Sequence, residues 1–149
     1  KSMRNDKLVL LDTNILVYGH QEQSEFHARS RSILKQGFVG KIPVCLCPQV
    51  CVEFYATITN PKRVTNPAPP EEAIEEIEKY LKSSNVRIIH PGEETWEYTL
   101  SLLKRRAPKG MKVFDLQLIA TMLSNDVSRI YTFNRDDFVP FPELEVLTP

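Results

Sequence analysis

The sequence predicts an α/β fold, a three-layer α/β/α sandwich with a mostly parallel sheet of four to five strands. Short apolar segments of strand length alternate with longer segments of helical periodicity, which is the order expected when helices connect parallel strands. The first apolar segment, KLVLL at residues 7–11, has no polar alternation and suits a strand buried on both faces. A length of 149 residues fits one domain with a single core.

The remaining elements follow in order from apolar periodicity and from helix and loop signals. Further strands are expected at residues 43–46, 86–89, 129–132 and 144–147. Helices are expected at residues 24–36, 48–59, 71–82, 93–106 and 113–124. Pro48 can open its helix because the N–H that proline lacks is unpaired in a first turn anyway. Residues 60–70 are rich in proline and asparagine and predict a loop.

Two of these helices show distinct apolar sides. In the helix at 71–82, one side carries Ile74, Ile77 and Leu81. In the helix at 93–106, the apolar stripe consists of Trp96, Leu100 and Leu103. We therefore expect Trp96 in the core rather than on the surface as a platform for base stacking.

Composition and charge limit the possible functions. No apolar run reaches the ~18 residues that a membrane span needs, and no basic-then-apolar leader is evident, so we expect a cytoplasmic protein without a membrane partner. Lys1 and Ser2, which precede Met3, are interpreted as remnants of cloning, which leaves residues 3–149 as a single domain.

Charge is sorted along the chain although the formal net charge is +0. No global positive field therefore indicates nucleic-acid binding. Residues 71–78 are acidic and residues 104–112 are basic, and Lys62 with Arg63 forms a second basic pair. For the acidic segment, a solvated helix face is the preferred interpretation.

The chain has three closely spaced cysteines, Cys45, Cys47 and Cys51. A structural zinc site would need a fourth ligand at a recognisable spacing, and the three histidines are scattered. An odd number of cysteines also argues against a disulfide framework. We interpret the cysteines as small buried residues.

Two acidic residues stand at positions where a second interpretation is needed. Asp12 directly follows the first strand, and a helix N-cap would explain it taken alone. Glu53 shares a helix face with Val50 and Phe54. A carboxylate on an apolar face is unfavourable unless it has a partner or a metal.

Asp115 and the segment TFNRDDF at residues 132–138 repeat this pattern. Asp115 lies along the apolar stripe of Leu118 and Ile119, although an acid in a first helical turn is also favoured by the helix dipole. The segment 132–138 follows the last clear strand, where an exposed acidic turn is the alternative interpretation. Ligands in such sheets bind beyond the carboxyl ends of the strands, so we expect these acids to share one site.

Clustered carboxylates without histidine or thiolate ligands suit hard divalent cations such as Mg²⁺ or Mn²⁺. One or two such ions would activate water and screen a phosphate, which favours attack on a phosphodiester. No glycine-rich phosphate loop or Walker lysine is present, which argues against nucleoside-triphosphate chemistry. No Ser-His-Asp or Cys-His set is evident either.

Four segments, in order, resemble the PIN-domain family and in particular bacterial VapC toxins. They are LLDTNILVYGH, CVEFYATITNPKRV, VFDLQLIATML and YTFNRDDFVPFPELEVLTP. The DTN opening alone is weak, but the ordered set spans nearly the whole chain. The resemblance implies an α/β/α fold, Mg²⁺- or Mn²⁺-dependent endoribonuclease activity on RNA, an antitoxin protein as partner, and a homodimer.

The resemblance also implies site residues. The family's metal-binding and catalytic acids correspond to Asp12, Glu53 and Asp115. Asn134 stands where many members have an acid, so Asp137 is expected as the fourth acid, with Asp136 as the alternative. Polar supports for these carboxylates are expected at Asn14, Thr132 and Asn134.

Basic residues that flank the acids in sequence are candidates for contacts with an RNA backbone. They are Lys104, Arg105 and Arg106 and, foremost, Lys109, Lys112 and Arg135.

Two other functions compete with the nuclease. A haloacid-dehalogenase-type phosphatase also begins with a strand that ends in Asp, but it needs a second Asp where this chain has Asn14. A non-catalytic PIN-like module that binds RNA or a partner is the second alternative.

Overall fold

The computed structural model describes residue 5 and residues 7–149, so the interpretation of Lys1 and Ser2 as cloning remnants lies outside the described residues. The strands in this part of the chain are β1 (Val9–Leu11), β2 (Val44–Leu46), β3 (Val86–Ile88), β4 (Arg129–Tyr131) and β5 (Glu145–Leu147). The α-helices are α1 (Thr13–His20), α2 (His27–Phe38), α3 (Pro48–Ile58), α4 (Pro70–Lys82), α5 (Thr95–Arg106) and α6 (Val113–Ser124). Short 3₁₀ helices lie at Gly110–Lys112 and Arg135–Asp137. Every element predicted with bounds is present.

The five strands form one parallel sheet in the order β3-β2-β1-β4-β5. Leu10 in β1 pairs with Cys45 in β2 on one side and with Ile130 in β4 on the other. The chain builds outward from β1 to β3, then returns to the opposite side of β1 for β4. This reversal opens a crevice at the carboxyl ends of β1 and β4, where ligands bind in such sheets.

Helices cover both faces of the sheet, which gives the expected α/β/α sandwich. Leu10 and Ile130 are both completely buried in the central strands, which explains why these strands read as continuous apolar runs. Helix α1 packs against α2 and α3, and α5 packs against α6.

The predicted burial of Trp96 is wrong. Trp96 is 67% exposed and Leu100 is 49% exposed. Helix α5 instead turns Thr95 and Leu102 inward, and the Thr95 hydroxyl is hydrogen-bonded to that of Ser124 in α6 at 2.8 Å. Trp96, Leu100 and Leu103 form one stripe of this helix, and Thr95 and Leu102 form a second stripe with the same helical spacing. The stripe that contains the small, buried Thr95 faces α6.

Helix α4 likewise buries a side other than the apolar side identified from the sequence. Ala73 and Tyr80 are buried, whereas Ile74 and Leu81 are 48% and 54% exposed. The apolar side identified from the sequence therefore lies partly at the surface, with only Ile77 packed against the core.

The described residues contain no helix that is long and apolar enough to span a membrane. The three cysteines are buried and carry free thiols, as their interpretation as small buried residues required. Burial raises the pKa of the Cys47 thiol to about 11 and also raises that of Cys45, so both are unreactive at neutral pH.

Candidate active site

A pocket of about 470 Å³ lies at the carboxyl edge of the sheet and brings four acidic side chains together. These acids are Asp12, Glu53, Asp115 and Asp137. They come from the end of β1, from α3, from the first turn of α6 and from the 3₁₀ helix after β4. Four distant parts of the sequence thus meet where the sheet topology opens the crevice.

Asp12 is held at the end of β1 by three hydrogen bonds. The Thr13 backbone N–H donates to Oδ1 at 2.8 Å. The Asn14 amide and the Thr132 hydroxyl donate to Oδ2 at 3.1 Å and 2.8 Å. Asp12 therefore caps α1 and also lines the pocket. Burial raises the pKa of Asp12, and the hydrogen bond from Thr132 opposes that rise.

Thr132 and Asn14, which the resemblance suggested as polar supports, form a hydrogen-bonded network around Asp12. The Thr132 hydroxyl also accepts hydrogen bonds from the Asn14 amide at 3.2 Å and from the Asn134 backbone N–H at 2.9 Å. The Asn14 side-chain oxygen accepts from the Phe133 backbone N–H at 3.2 Å. The ends of β1 and β4 are thereby joined through side chains.

Glu53 is held by two residues that the sequence analysis missed. Thr13 Oγ1 donates to Glu53 Oε1 at 3.0 Å, and Gln49 Nε2 donates to Glu53 Oε2 at 3.2 Å. Gln49 Nε2 also donates to the Phe114 carbonyl at 2.9 Å, which ties α3 to the start of α6. The i,i+4 spacing of Gln49 and Glu53 was a usable signal for this support.

Asp115 also lies in surroundings that oppose its ionisation. Burial raises its pKa to about 6, and the carboxylates of Asp137, Asp12 and Glu53 add to the rise. Lys112 lowers it by less. An acid that only served the helix dipole would have a lowered pKa, so burial and the neighbouring acids outweigh the dipole here.

The turn after β4 separates its two acids. Asp137 lines the pocket, whereas Asp136 is exposed and outside it. Phe138 is 1% exposed and fixes the turn in the core, as the sequence analysis expected. Asn134 also lines the pocket.

The donor set fits a hard divalent cation. Four carboxylates line one pocket. Burial and then repulsion by the other three raise the pKa of Asp115, and a bound cation would relieve that repulsion. As they stand, the described residues contain no group of three His, Cys, Asp or Glu side chains arranged to hold an ion. Metal binding therefore requires the side chains to close around the ion.

The basic residues proposed for RNA contacts lie in different settings. Lys109 and Lys112 are exposed. Arg135 Nη1 donates to the Val146 carbonyl at 2.9 Å and to Thr148 Oγ1 at 3.3 Å, and so holds the C-terminal segment. RNA contact by these three residues stays a prediction. The acidic pocket itself includes Arg63, which the sequence analysis named only in a basic pair.

A larger pocket of about 630 Å³ lies elsewhere, between α1, α2 and the segment before α4. Its polar wall includes His20, whose Nε2 lies 2.6 Å from Glu72 Oε2. None of the four clustered acids lines this larger pocket, so its greater size does not make it the better candidate for the active site.

The fold and the acidic pocket together define the class of protein. The PIN-domain family model matches residues 9–144. The chain belongs to the PIN-domain family, and the resemblance seen in the sequence is confirmed.

Curated relatives and solved structures give a more specific likeness. The chain is similar to Ribonuclease VapC48 of Mycobacterium tuberculosis, with 25% identity over 138 residues that cover 93% of this chain and 94% of the relative. It resembles the structure of Mycobacterium tuberculosis VapC20, a sarcin-ricin loop cleaving toxin, with a TM-score of 0.66 and 17% identity over 89% of this chain and 95% of that one.

A third likeness is to VapBC2 from Rickettsia felis bound to a DNA fragment from its promoter. The TM-score is 0.65 at 16% identity, over 95% of this chain and 98% of that one. At such identities the structural matches show the fold, which is the PIN-like sandwich predicted from the sequence.

Proposed function

We propose that this chain is an endoribonuclease that hydrolyses RNA phosphodiester bonds and acts as the toxin of a VapBC-type toxin–antitoxin pair. The observation that carries the proposal is the convergence of Asp12, Glu53, Asp115 and Asp137 on one pocket at the carboxyl edge of the sheet. Membership of the PIN-domain family and relatives named VapC ribonucleases support it.

PIN-domain ribonucleases of the VapC type generally depend on a divalent metal. For this chain we assign the ion to Mg²⁺ or Mn²⁺, which would be held by the four pocket acids because hard cations prefer carboxylate oxygens. When bound, such an ion would supply an activated water and screen the charge of the phosphate.

The four acids of the pocket are positioned in different ways. Hydrogen bonds from Asn14 and Thr132 hold Asp12, so its carboxylate keeps a fixed position at the end of β1. Glu53 is turned toward the pocket by its hydrogen bonds to Thr13 and Gln49. Asp115 and Asp137 would adjust to the substrate complex.

We also propose an antitoxin protein as the partner of this chain. The Rickettsia felis neighbour is a VapBC assembly bound to promoter DNA, and the shared fold supports the same kind of partner here. RNA and such an antitoxin would meet this chain in the cytoplasm.

A homodimer is the assembly that we propose for the isolated chain. Helices α3 and α4 leave large apolar side chains at the surface, with Val52 66%, Ile74 48% and Leu81 54% exposed. A second copy would cover such surfaces in a symmetric contact. Sedimentation at tens of micromolar that shows only a species of 17.2 kDa would contradict the dimer.

Cleavage assays with purified protein test the proposed activity against its rivals. Wild type should cleave single-stranded RNA with Mg²⁺ or Mn²⁺ and lose that activity with excess chelator, and it should leave a phosphomonoester intact. Preferential hydrolysis of the phosphomonoester would favour a haloacid-dehalogenase-type phosphatase. RNA binding without cleavage under any of these conditions would favour a non-catalytic module.

A further inference from the structure

Arg63 is the cationic side chain among the described residues that line the acidic pocket. It is exposed, and its guanidinium forms no hydrogen bond or ion pair with a described residue. In the sequence, Arg63 is recognisable only as part of a basic pair with Lys62. A cation that shares a pocket with four acids but pairs with none of them calls for an explanation.

The backbone of Arg63 is held in place by the turn that follows α3. The Asn60 carbonyl accepts hydrogen bonds from the backbone N–H groups of Arg63 at 2.9 Å and Val64 at 3.2 Å. The Asn60 side chain accepts from the Lys62 N–H at 2.9 Å. Val64 packs against the core. The turn therefore presents Arg63 from a fixed point, which limits the entropy lost when its side chain binds a ligand.

Several other described arginines are already engaged in internal contacts. Arg105 pairs with Glu143, and Arg129 pairs with Glu145. Arg135 holds backbone and side-chain oxygens of the C-terminal segment. Arg63 differs because its fork of N–H donors is available within the pocket.

The chemistry of the pocket indicates what Arg63 can bind. A phosphate that approaches four carboxylates is repelled, so its binding needs compensating positive charge. A guanidinium matches the oxygens of a phosphate in geometry and can donate two parallel hydrogen bonds to it. Lys112, the other cation near these acids, lowers the pKa of Asp115 but does not line the pocket.

We propose that Arg63 binds a non-bridging oxygen of the RNA phosphate that enters the acidic pocket and so positions the RNA for cleavage. This inference rests on the proposed ribonuclease function. It adds a substrate contact from the loop after α3 to a site otherwise built from acids.

RNA binding tests the contact without requiring cleavage. In an Asp115→Asn background, the affinity for a single-stranded RNA is measured by fluorescence anisotropy at several salt concentrations. Arg63→Ala should weaken binding by about 10-fold and reduce the slope of log affinity against log salt by about 0.7 to 1. Arg63→Lys should lie between, because it keeps the charge and loses the paired donors.

Lys62→Ala is the matched control, since Lys62 lies on the same turn, is exposed and does not line the pocket. It should change affinity by no more than about twofold and leave the salt slope as it is. Equal affinities and equal slopes for Lys62→Ala and Arg63→Ala would overturn the proposal. So would a protein that binds no RNA at all.

Cleavage kinetics separate this inference from the function on which it rests. With the other residues unchanged, Arg63→Ala should lower kcat/KM by at least about 10-fold, with a melting temperature equal to that of Lys62→Ala. If wild type cleaves RNA and both variants cleave it equally well, Arg63 has no such role and the ribonuclease assignment stands. If wild type cleaves no RNA, the assignment fails, and the binding measurement still decides the contact.

Discussion

The two halves of the acidic pocket are built differently. Around Asp12, side chains from the ends of β1 and β4 form a closed set of hydrogen bonds. Across the pocket, the carboxylates of Asp115 and Asp137 accept no hydrogen bond from a described residue, and the Asp137 carboxylate adds to the raised pKa values of both Asp12 and Asp115. One half is anchored and the other is held in position by its backbone alone.

Because of this difference, we expect the two halves to contribute differently to stability and to metal binding. The anchored half fixes the position of the site relative to the sheet, and its loss should reduce stability as well as activity. The unanchored half holds its carboxylates without hydrogen bonds, so it should gain most from a cation and contribute least to stability without one. The following predictions, from the largest effect to the smallest, test that comparison.

The largest effect is expected when Asp12 of the anchored half or Asp115 of the unanchored half loses its charge. Asp12→Asn and Asp115→Asn should each lower RNA cleavage by at least about 100-fold, a loss of about 2.7 kcal/mol of transition-state stabilisation. Initial rates with Mn²⁺ at saturating RNA measure it. Activity within a few-fold of wild type in both variants, after contaminating nucleases are excluded, would refute the shared site.

Thr132→Val probes the anchored half without removing an acid. Thr132 is completely buried, and valine would remove the hydroxyl that contacts Asp12 Oδ2, the Asn14 amide and the Asn134 N–H. The free energy of unfolding in denaturant should fall by about 1–3 kcal/mol because buried polar groups lose their partner.

Thr57→Val is the control for this change, since Thr57 lines the same pocket and its hydroxyl forms no hydrogen bond with a described residue. If both valine variants lose the same stability, the network around Asp12 is not what anchors that half.

Asp137→Ala probes the unanchored half and separates neighbouring residues of one turn. It should cut activity by at least about 10-fold, or about 1.4 kcal/mol, because Asp137 lines the pocket. Asp136→Ala should have much less effect because Asp136 is exposed outside it, and Asn134→Ala should fall between them. Parallel rate measurements decide the order. A larger loss for Asp136→Ala than for Asp137→Ala would show that Asp136, and not Asp137, is the fourth acid of the site.

The smallest effect is a pH dependence of stability in the presence of chelator. The pKa of Asp115 is raised from 3.8 to about 6 in the folded protein, so the folded state binds more protons than the unfolded state between these values. The contribution of Asp115 should therefore stabilise the protein at pH 4 and be lost as pH rises through about 6.

Asp115→Asn should flatten that part of the stability profile, which denaturant unfolding at several pH values would reveal. Cleavage at limiting metal concentration should change in the opposite direction, because a proton on Asp115 competes with the ion for the carboxylate, and should rise with pH through about 6. A stability profile that is the same in wild type and Asp115→Asn would show that Asp115 is not the group responsible.

The sequence predicted the parts of the molecule that local pattern controls. The uninterrupted apolar run of β1 and the acid that follows it placed Asp12 at the carboxyl edge of a parallel sheet. The apolar stripes around Glu53 and Asp115 indicated that both acids face inward. These features depend on spacing within one element, which a sequence shows directly.

Other features depend on packing between distant elements and had no comparable signal. Trp96 and Thr95 begin two stripes of equal helical spacing, and only the contact between α5 and α6 decides which one is buried. Arg63 reaches the pocket because the turn after α3 folds back over the helix end, where the Ala68 N–H donates to the Ile58 carbonyl at 2.7 Å. The bond from Gln49 to Phe114 joins elements that are far apart in sequence.

Location of a bound Mn²⁺ ion by anomalous diffraction tests the central claim most directly. Crystals of wild type and Asp137→Ala would be soaked in Mn²⁺ under the same conditions, and Asp136→Ala would serve as the control. The four-acid pocket predicts an anomalous peak within about 2.0–2.4 Å of carboxylate oxygens from Asp12 and at least one of the other acids, weakened in Asp137→Ala and retained in Asp136→Ala. A peak at the His20 and Glu72 pocket with none between these acids would contradict the account.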